Sequence, residues 1–249
     1  MMKQKKEQII KKVILAIDSK IYDINRKVIK YVGRIFLKNK NATIISNNCC
    51  GADISHTYGL RFNSPTVNLQ ILPCDFPKFC ANLEYYLKQD IIQIPNSSSE
   101  LNELQQINIK KVFDGRTIEE LVGIPFAKCD DIVIIFQHYK TFDEAKEKWN
   151  LRKSRVNVNN CGFLLVVGPE ELEEAREFDL TNLGITRNKV IITKNCLYSP
   201  VEKTTEAIPT GKIPQGEHFM ERHNLFLKHY EVNFKPIKWL NSLITDKNA

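Results

Sequence analysis

Two unbroken apolar runs limit what this chain can fold into more than any other feature. Ile132-Val133-Ile134-Ile135-Phe136 and Phe163-Leu164-Leu165-Val166-Val167 hold no polar residue and are rich in β-branched side chains. A strand with one wet face alternates apolar and polar residues. A strand without alternation has to be covered on both faces. Shorter apolar runs at Ala42–Ser46, Val67–Leu72, Ile91–Ile94 and Lys189–Thr193 are separated by helical patterns. Strands alternating with helices predict an α/β fold, layered α/β/α around a mostly parallel or mixed sheet.

Local signals mark the helices. Ala52–Tyr58 reads as a helix ending at Gly59. Asp75 stands as an N-cap before a helix over about Phe76–Gln89. Thr141 with Glu144 three residues on is a capping box opening the helix Thr141–Val156, where Phe142, Ala145, Trp149, Arg152 and Val156 share a face. An acidic helix is expected over Glu170–Phe178. Ile107–Phe113 and Thr117–Leu121 flank Asp114-Gly115-Arg116 and read as a hairpin, which favours a mixed sheet. Residues 199–216 read as an extended loop. Helices over 216–230 and 236–244 make a C-terminal extension within 216–245.

The first 40 residues differ from the rest. They carry 12 Lys+Arg and 3 Asp+Glu, a net +9, while the other 209 residues net −2. Ile10, Ile14, Ile17, Ile21, Ile24, Val28, Tyr31 and Ile35 recur at alternating spacings of four and three. Residues 8–38 are therefore expected to form one long amphipathic helix with a heptad stripe. The chain divides into this basic helix, 1–40, and a single α/β domain, 41–249. The stripe would pack on the protein's own body, pair two copies, or lie peripherally on an anionic membrane. Packing within or between copies is the ordinary outcome for such a stripe. A nearly neutral body and the lack of aromatics among the basic residues argue against nucleic acid as a partner.

Composition excludes several other classes. Hydrophobic residues make up 43%, enough for a real core. No uninterrupted apolar stretch reaches the ~18 residues of a membrane span. Lys11, Lys12, Asp18 and Lys20 break the segment behind the N-terminus, so it does not read as a signal peptide, and a cytoplasmic location is expected. Seven cysteines without CxxC or zinc-type spacing suggest reduced, mostly buried thiols and no metal site. Walker A, GxGxxG, HExxH and GxSxG motifs are absent, so no cofactor is evident.

The candidate site starts at Ile44-Ile45-Ser46-Asn47-Asn48-Cys49-Cys50-Gly51, a short strand running into a polar turn. Ligands of α/β sheets gather at the carboxyl ends of strands, where this turn places Ser46, Asn47, Asn48 and Cys49. His138 and Lys140 follow the run 132–136 and would meet that edge. There His138 could serve Cys49 as base, with Lys140 favouring a thiolate and the Asn47 and Asn48 amides facing an oxyanion. That set suits acyl transfer, with acyl-coenzyme A as a conceivable donor. The plainer alternative has Cys49 as a small buried residue and the asparagines as turn formers. Arg152 falls in the apolar stripe of its helix, where an unpaired charge is costly. It should meet a carboxylate or an anionic ligand, with Arg155 beside it.

Four stretches, in order, carry a resemblance. They are Thr43–Cys49; Tyr58-Gly59-Leu60 with Asn63-Ser64-Pro65-Thr66; Asn82-Leu83-Glu84-Tyr85-Tyr86-Leu87; and His138-Tyr139-Lys140 through Ala145–Arg152. Over about residues 42–195 the chain resembles the bacterial family called domain of unknown function 1919. After Cys49 that family usually has a tryptophan and two glycines, where Cys50, Gly51 and Ala52 stand here. The resemblance implies a setting in surface and exopolysaccharide synthesis. It implies no reaction and carries over no catalytic residue. Together with the strand-end turn it leads to an expected enzyme that modifies a polysaccharide precursor by group transfer, with a sugar or sugar nucleotide as substrate. The alternative is a non-catalytic assembly protein of such a complex.

Overall fold

The computed structural model of the chain describes residues 2–183 and 189–243, with side chains from Ile10 onward. The described chain runs α1 (Met2–Phe36), β1 (Thr43–Ser46), α2 (Cys50–Tyr58), β2 (Gln70–Ile71), α3 (Phe76–Ala81), α4 (Leu83–Lys88) and β3 (Ile91–Ile94). It continues with α5 (Glu103–Val112), β4 (Phe126–Cys129), β5 (Ile132–Ile135), α6 (Phe142–Lys153) and β6 (Cys161–Val167). Last come α7 (Leu172–Leu180), β7 (Lys189–Thr193), β8 (Thr205–Pro209) and α8 (Pro236–Ser242).

The α/β layering is present, but the strands divide into two sheets. β1, β6, β7 and β8 lie in that order and are all parallel. β2, β5, β4 and β3 form a separate antiparallel sheet. β6 is buried along its whole length because its alternate residues serve two cores. Phe163, Leu165 and Val167 face a core shared with Phe79, Trp149 and Phe178, and with Ile71, Ile132 and Ile134 of the antiparallel sheet. Leu164 and Val166 face a second core with Ile54, Tyr58, Trp239 and Leu240. Burying each such large apolar side chain contributes roughly 1.5–3 kcal/mol. A third core lies on the other side of the antiparallel sheet, where Val133 and Ile135 meet Ile109 and Phe113 of α5.

Asn47 joins the two sheets. Its carbonyl accepts the Ile71 N–H at 2.8 Å, which ties β1 to β2. Its side chain takes the place of a further strand residue: Oδ1 accepts from Val166 N at 2.9 Å and Nδ2 donates to Val166 O at 3.1 Å. After β7, Asn195 also uses both ends of its amide, exchanging two hydrogen bonds with the backbone of Ile213 in the loop beyond β8.

Several expectations need correction. The hairpin over 107–121 is instead α5 followed by a short 3-10 turn, Ile118–Glu120. Asn102 and Gln105 form a capping box that starts α5. Asp114 and Gly115, at φ 52° and 84°, end it, with Gly115 N–H donating to Lys110 O. The helix over 76–89 breaks at Asn82 into α3 and α4. Asp75 does not cap α3. Its buried carboxylate accepts from Val133 N and Gln105 Nε2, fastening α5 to β5. The strand expected over 67–72 is reduced to β2. The 199–216 loop contains β8, paired with β7. Residues 216–230 form turns with one 3-10 segment, His229–Glu231. The last helix ends as α8, and Ile244 lies outside the described residues.

The N-terminal helix is long, as expected, but its heptad stripe does not pack on the body. Residues 10–35 of the stripe are 42–71% exposed. The face turned inward is mostly polar. Arg26 pairs with Glu231 through two hydrogen bonds of 2.5 and 3.1 Å, Asp18 pairs with Arg222, and Asn25 donates to Leu225 O. Gly33 sits where α1 crosses α2. A Cβ there would come within 2.6 Å of the Tyr58 ring, so the helix keeps a residue of low propensity.

Two outcomes follow. Replacing Asn47 with Ala leaves the buried Val166 N–H and C=O unpaired, and urea unfolding should show a loss of about 2–4 kcal/mol. Burial pushes the Asp75 carboxyl up to about 6, despite its backbone and side-chain donors. A carboxyl raised above its unfolded value stabilises the fold fully below about pH 4, and that contribution is lost as pH rises through 6, by about 3 kcal/mol. Unfolding at pH 4 and 7 should therefore differ less in Asp75→Asn than in the native chain. Equal differences would contradict this.

Candidate functional site

The carboxyl end of β1 is built by short-range polar contacts. Ser46 N–H donates to Thr66 Oγ1, and Ser46 Oγ accepts from Asn48 N. Asn48 Oδ1 accepts from Cys50 N at 3.0 Å and so starts α2, with Cys49 at the N-cap position. Asn47 is committed to the sheet through both ends of its amide. Of the four strand-end residues, Asn48 and Cys49 are the partly exposed ones.

The second half of the site comes from α6 and the turn after β5. Arg152 is only 9% exposed. Its Nη1 donates to Val67 O at 3.0 Å and to Tyr139 Oη at 2.5 Å, and its guanidinium lies over the Phe62 ring at 5.6 Å. Tyr139 also donates to Val67 O, in the turn before β2. Arg155 Nη1 reaches Phe62 O. Among the described residues, neither Arg152 nor Arg155 forms an ion pair, and the Nε and Nη2 groups of Arg152 donate to no protein acceptor. Of the two partners foreseen for Arg152, no carboxylate is in place.

Cys49 stands at the start of α2. Burial raises the Tyr139 phenol above its ordinary value in spite of Arg152, and a negative charge on Cys49 would raise it further. The Cys49 thiol is itself pushed up to about 11, first by burial and then by the Asp53 carboxylate. At neutral pH about one such thiol in ten thousand is ionised. Asp53 is held by Lys228 Nζ at 2.6 Å and Tyr230 Oη at 2.7 Å.

His138 and Lys140 point elsewhere. Tyr139 is buried between them, and both neighbours are exposed. No hydrogen bond among the described residues joins His138 to Cys49, and Lys140 forms no ion pair there. The structure brings Arg152 together with Tyr139, Phe62 and the Val67 carbonyl and sets Arg155 on the Phe62 backbone, while Asn48 and Cys49 stand at the end of β1, joined to this cluster by no hydrogen bond among the described residues. Tyr139 lay inside the stretch singled out from sequence.

The comparisons with known proteins agree with the resemblance. An uncharacterised protein of Haemophilus influenzae (strain ATCC 51907 / DSM 11121 / KW20 / Rd) is 31% identical over 206 residues, covering 82% of this chain and 86% of the relative. A family model, domain of unknown function (DUF1919), matches residues 20–241, a span that takes in both sheets, the Arg152 cluster and the second half of α1. The chain belongs to the DUF1919 family.

Proposed function

We propose that this protein binds an anionic precursor of a surface polysaccharide, a sugar phosphate or sugar nucleotide, between the end of β1 and α6. One observation carries the reading: Arg152 is buried without a carboxylate partner, and two of its nitrogens are uncommitted. A desolvated guanidinium with free donors is a strong site for phosphate or carboxylate. Arg155 adds a second positive charge and Phe62 an aromatic surface. The polysaccharide setting rests on the family resemblance. The protein works in the cytoplasm on this reading, which is supported by seven free thiols and no disulfide among the described residues.

A second reading makes the end of β1 a group-transfer site, where the Cys49 thiolate attacks a thioester such as acyl-coenzyme A, forms an acyl-cysteine and releases the coenzyme A thiolate. Its support is that Cys49 is partly exposed at the carboxyl end of β1. The raised thiol weighs against it, as does the outward-facing His138. Recognition of an anion therefore comes first.

Calorimetric titration with sugar nucleotides and with inorganic phosphate tests binding. Arg152→Met keeps the aliphatic stem and should weaken binding by about 2 kcal/mol, or ~30-fold, with circular dichroism used to check that the variant is folded. Equal affinity in the variant would remove Arg152 from the site. Alkylation of Cys49 by iodoacetamide separates the two readings. Its rate should keep rising from pH 7 to beyond pH 10. A plateau near neutrality would favour the group-transfer reading.

A further inference from the structure

The largest apolar feature on the surface is the heptad stripe of α1. From Ile10 to Ile35 its residues are exposed, although they repeat with the regularity of a buried seam. The polar side chains that hold α1 to the body lie on another face, through Asp18–Arg222, Asn25–Leu225 and Arg26–Glu231. The stripe therefore stays uncovered while the helix is docked. No helix among the described residues is long and apolar enough to cross a membrane. An exposed stripe on such a helix suits a surface-lying position.

The charges beside the stripe choose its partner. In heptad positions the stripe occupies a and d, and the adjoining g positions from residue 20 onward are Lys20, Lys27 and Arg34. A paired second copy would need opposite charges along its flanks. Antiparallel pairing would oppose these cations to one another, and parallel pairing would set them against Asn25 and Val32. On the other flank, Asp18 and Asn25 are already bound to the protein's own loop. Among the described residues Lys11, Lys12, Lys20 and Lys27 have no carboxylate partner. Once Arg26 and Asp18 are paired with the body, residues 10–36 keep six cations and one carboxylate, Asp23. An apolar groove of about 570 Å³ between α1 and α8 carries three more lysines, Lys38, Lys235 and Lys238.

We infer that α1 seats the protein on an anionic bilayer surface, with Ile14, Ile17, Ile21, Ile24 and Val28 in the headgroup–acyl boundary and Lys20, Lys27 and Arg34 on lipid phosphates. The anchor is independent of the Arg152 cleft, so either can fail without the other.

Sedimentation of the full chain with sucrose-loaded vesicles tests this. Vesicles of 30% phosphatidylglycerol in phosphatidylcholine should carry the protein down, and pure phosphatidylcholine should not, an order-of-magnitude composition for an anionic surface, about a third charged lipid. Lys20→Gln with Lys27→Gln should weaken partitioning ~25-fold, about fivefold per lysine. Ile21→Glu with Ile24→Glu should abolish it, while circular dichroism and melting stay as in the native chain, because both positions are exposed. Three results would overturn the proposal: no sedimentation with anionic vesicles, unchanged sedimentation of the Glu variant, or a stable dimer by light scattering that the Glu variant dissolves. The last would assign the stripe to a second copy.

Discussion

The Asn47 side chain stands in for a strand residue, and the rest of the architecture depends on that substitution. β1 ends at Ser46, yet the hydrogen-bond ladder to β6 runs one step further through the Asn47 amide. The Asn47 N–H still donates to Leu164 O, but its carbonyl is free of β6 and accepts from Ile71 N. A parallel and an antiparallel sheet can then share one core although no strand belongs to both. The same turn opens α2 at Cys49 and sets the end of β1 beside the loop carrying Phe62 and Val67. The Val67 carbonyl, which Arg152 and Tyr139 both bind, lies in this same connection.

Much of the fold was legible because burial on both faces leaves a plain mark. Phe163–Val167 and Ile132–Phe136 could only be covered strands, and Thr141 with Glu144 located α6. The misread segment has a physical reason. Asp114 and Gly115 take left-handed backbone angles, as an Asp-Gly hairpin turn would, but the same pair can terminate a helix. Ile107 and Ile109 alternate in sequence, and a reading on that alternation leaves out the Asn102–Gln105 capping box that starts α5. The separation into two sheets had no local signal, since it rests on contacts between residues 24 and more than 100 positions apart.

The site was legible in part for similar reasons. Arg152 in an apolar stripe advertised an unusual environment, and the structure supplies one without a carboxylate. Which of His138, Tyr139 and Lys140 faces inward depends on the phase of the strand end, which the sequence around it does not fix. α1 shows the converse. Its heptad stripe was conspicuous, but the face that holds the body is a polar set, Asp18, Asn25 and Arg26, that no hydrophobic period reveals. Two electrostatic features thus remain uncommitted inside the protein: a buried guanidinium in the cleft and a row of cations along α1.

The cleft is the central claim, and the Arg152 side chain can report on it directly. In a ¹⁵N spectrum of the Arg Nε–H groups, assigned by comparison with Arg152→Met, a sugar nucleotide or phosphate is titrated into the native chain. A saturable shift of the Arg152 Nε–H resonance, with slowed exchange against water, is the predicted result. An Arg152 resonance that stays in place while ligand binding is seen elsewhere would contradict it.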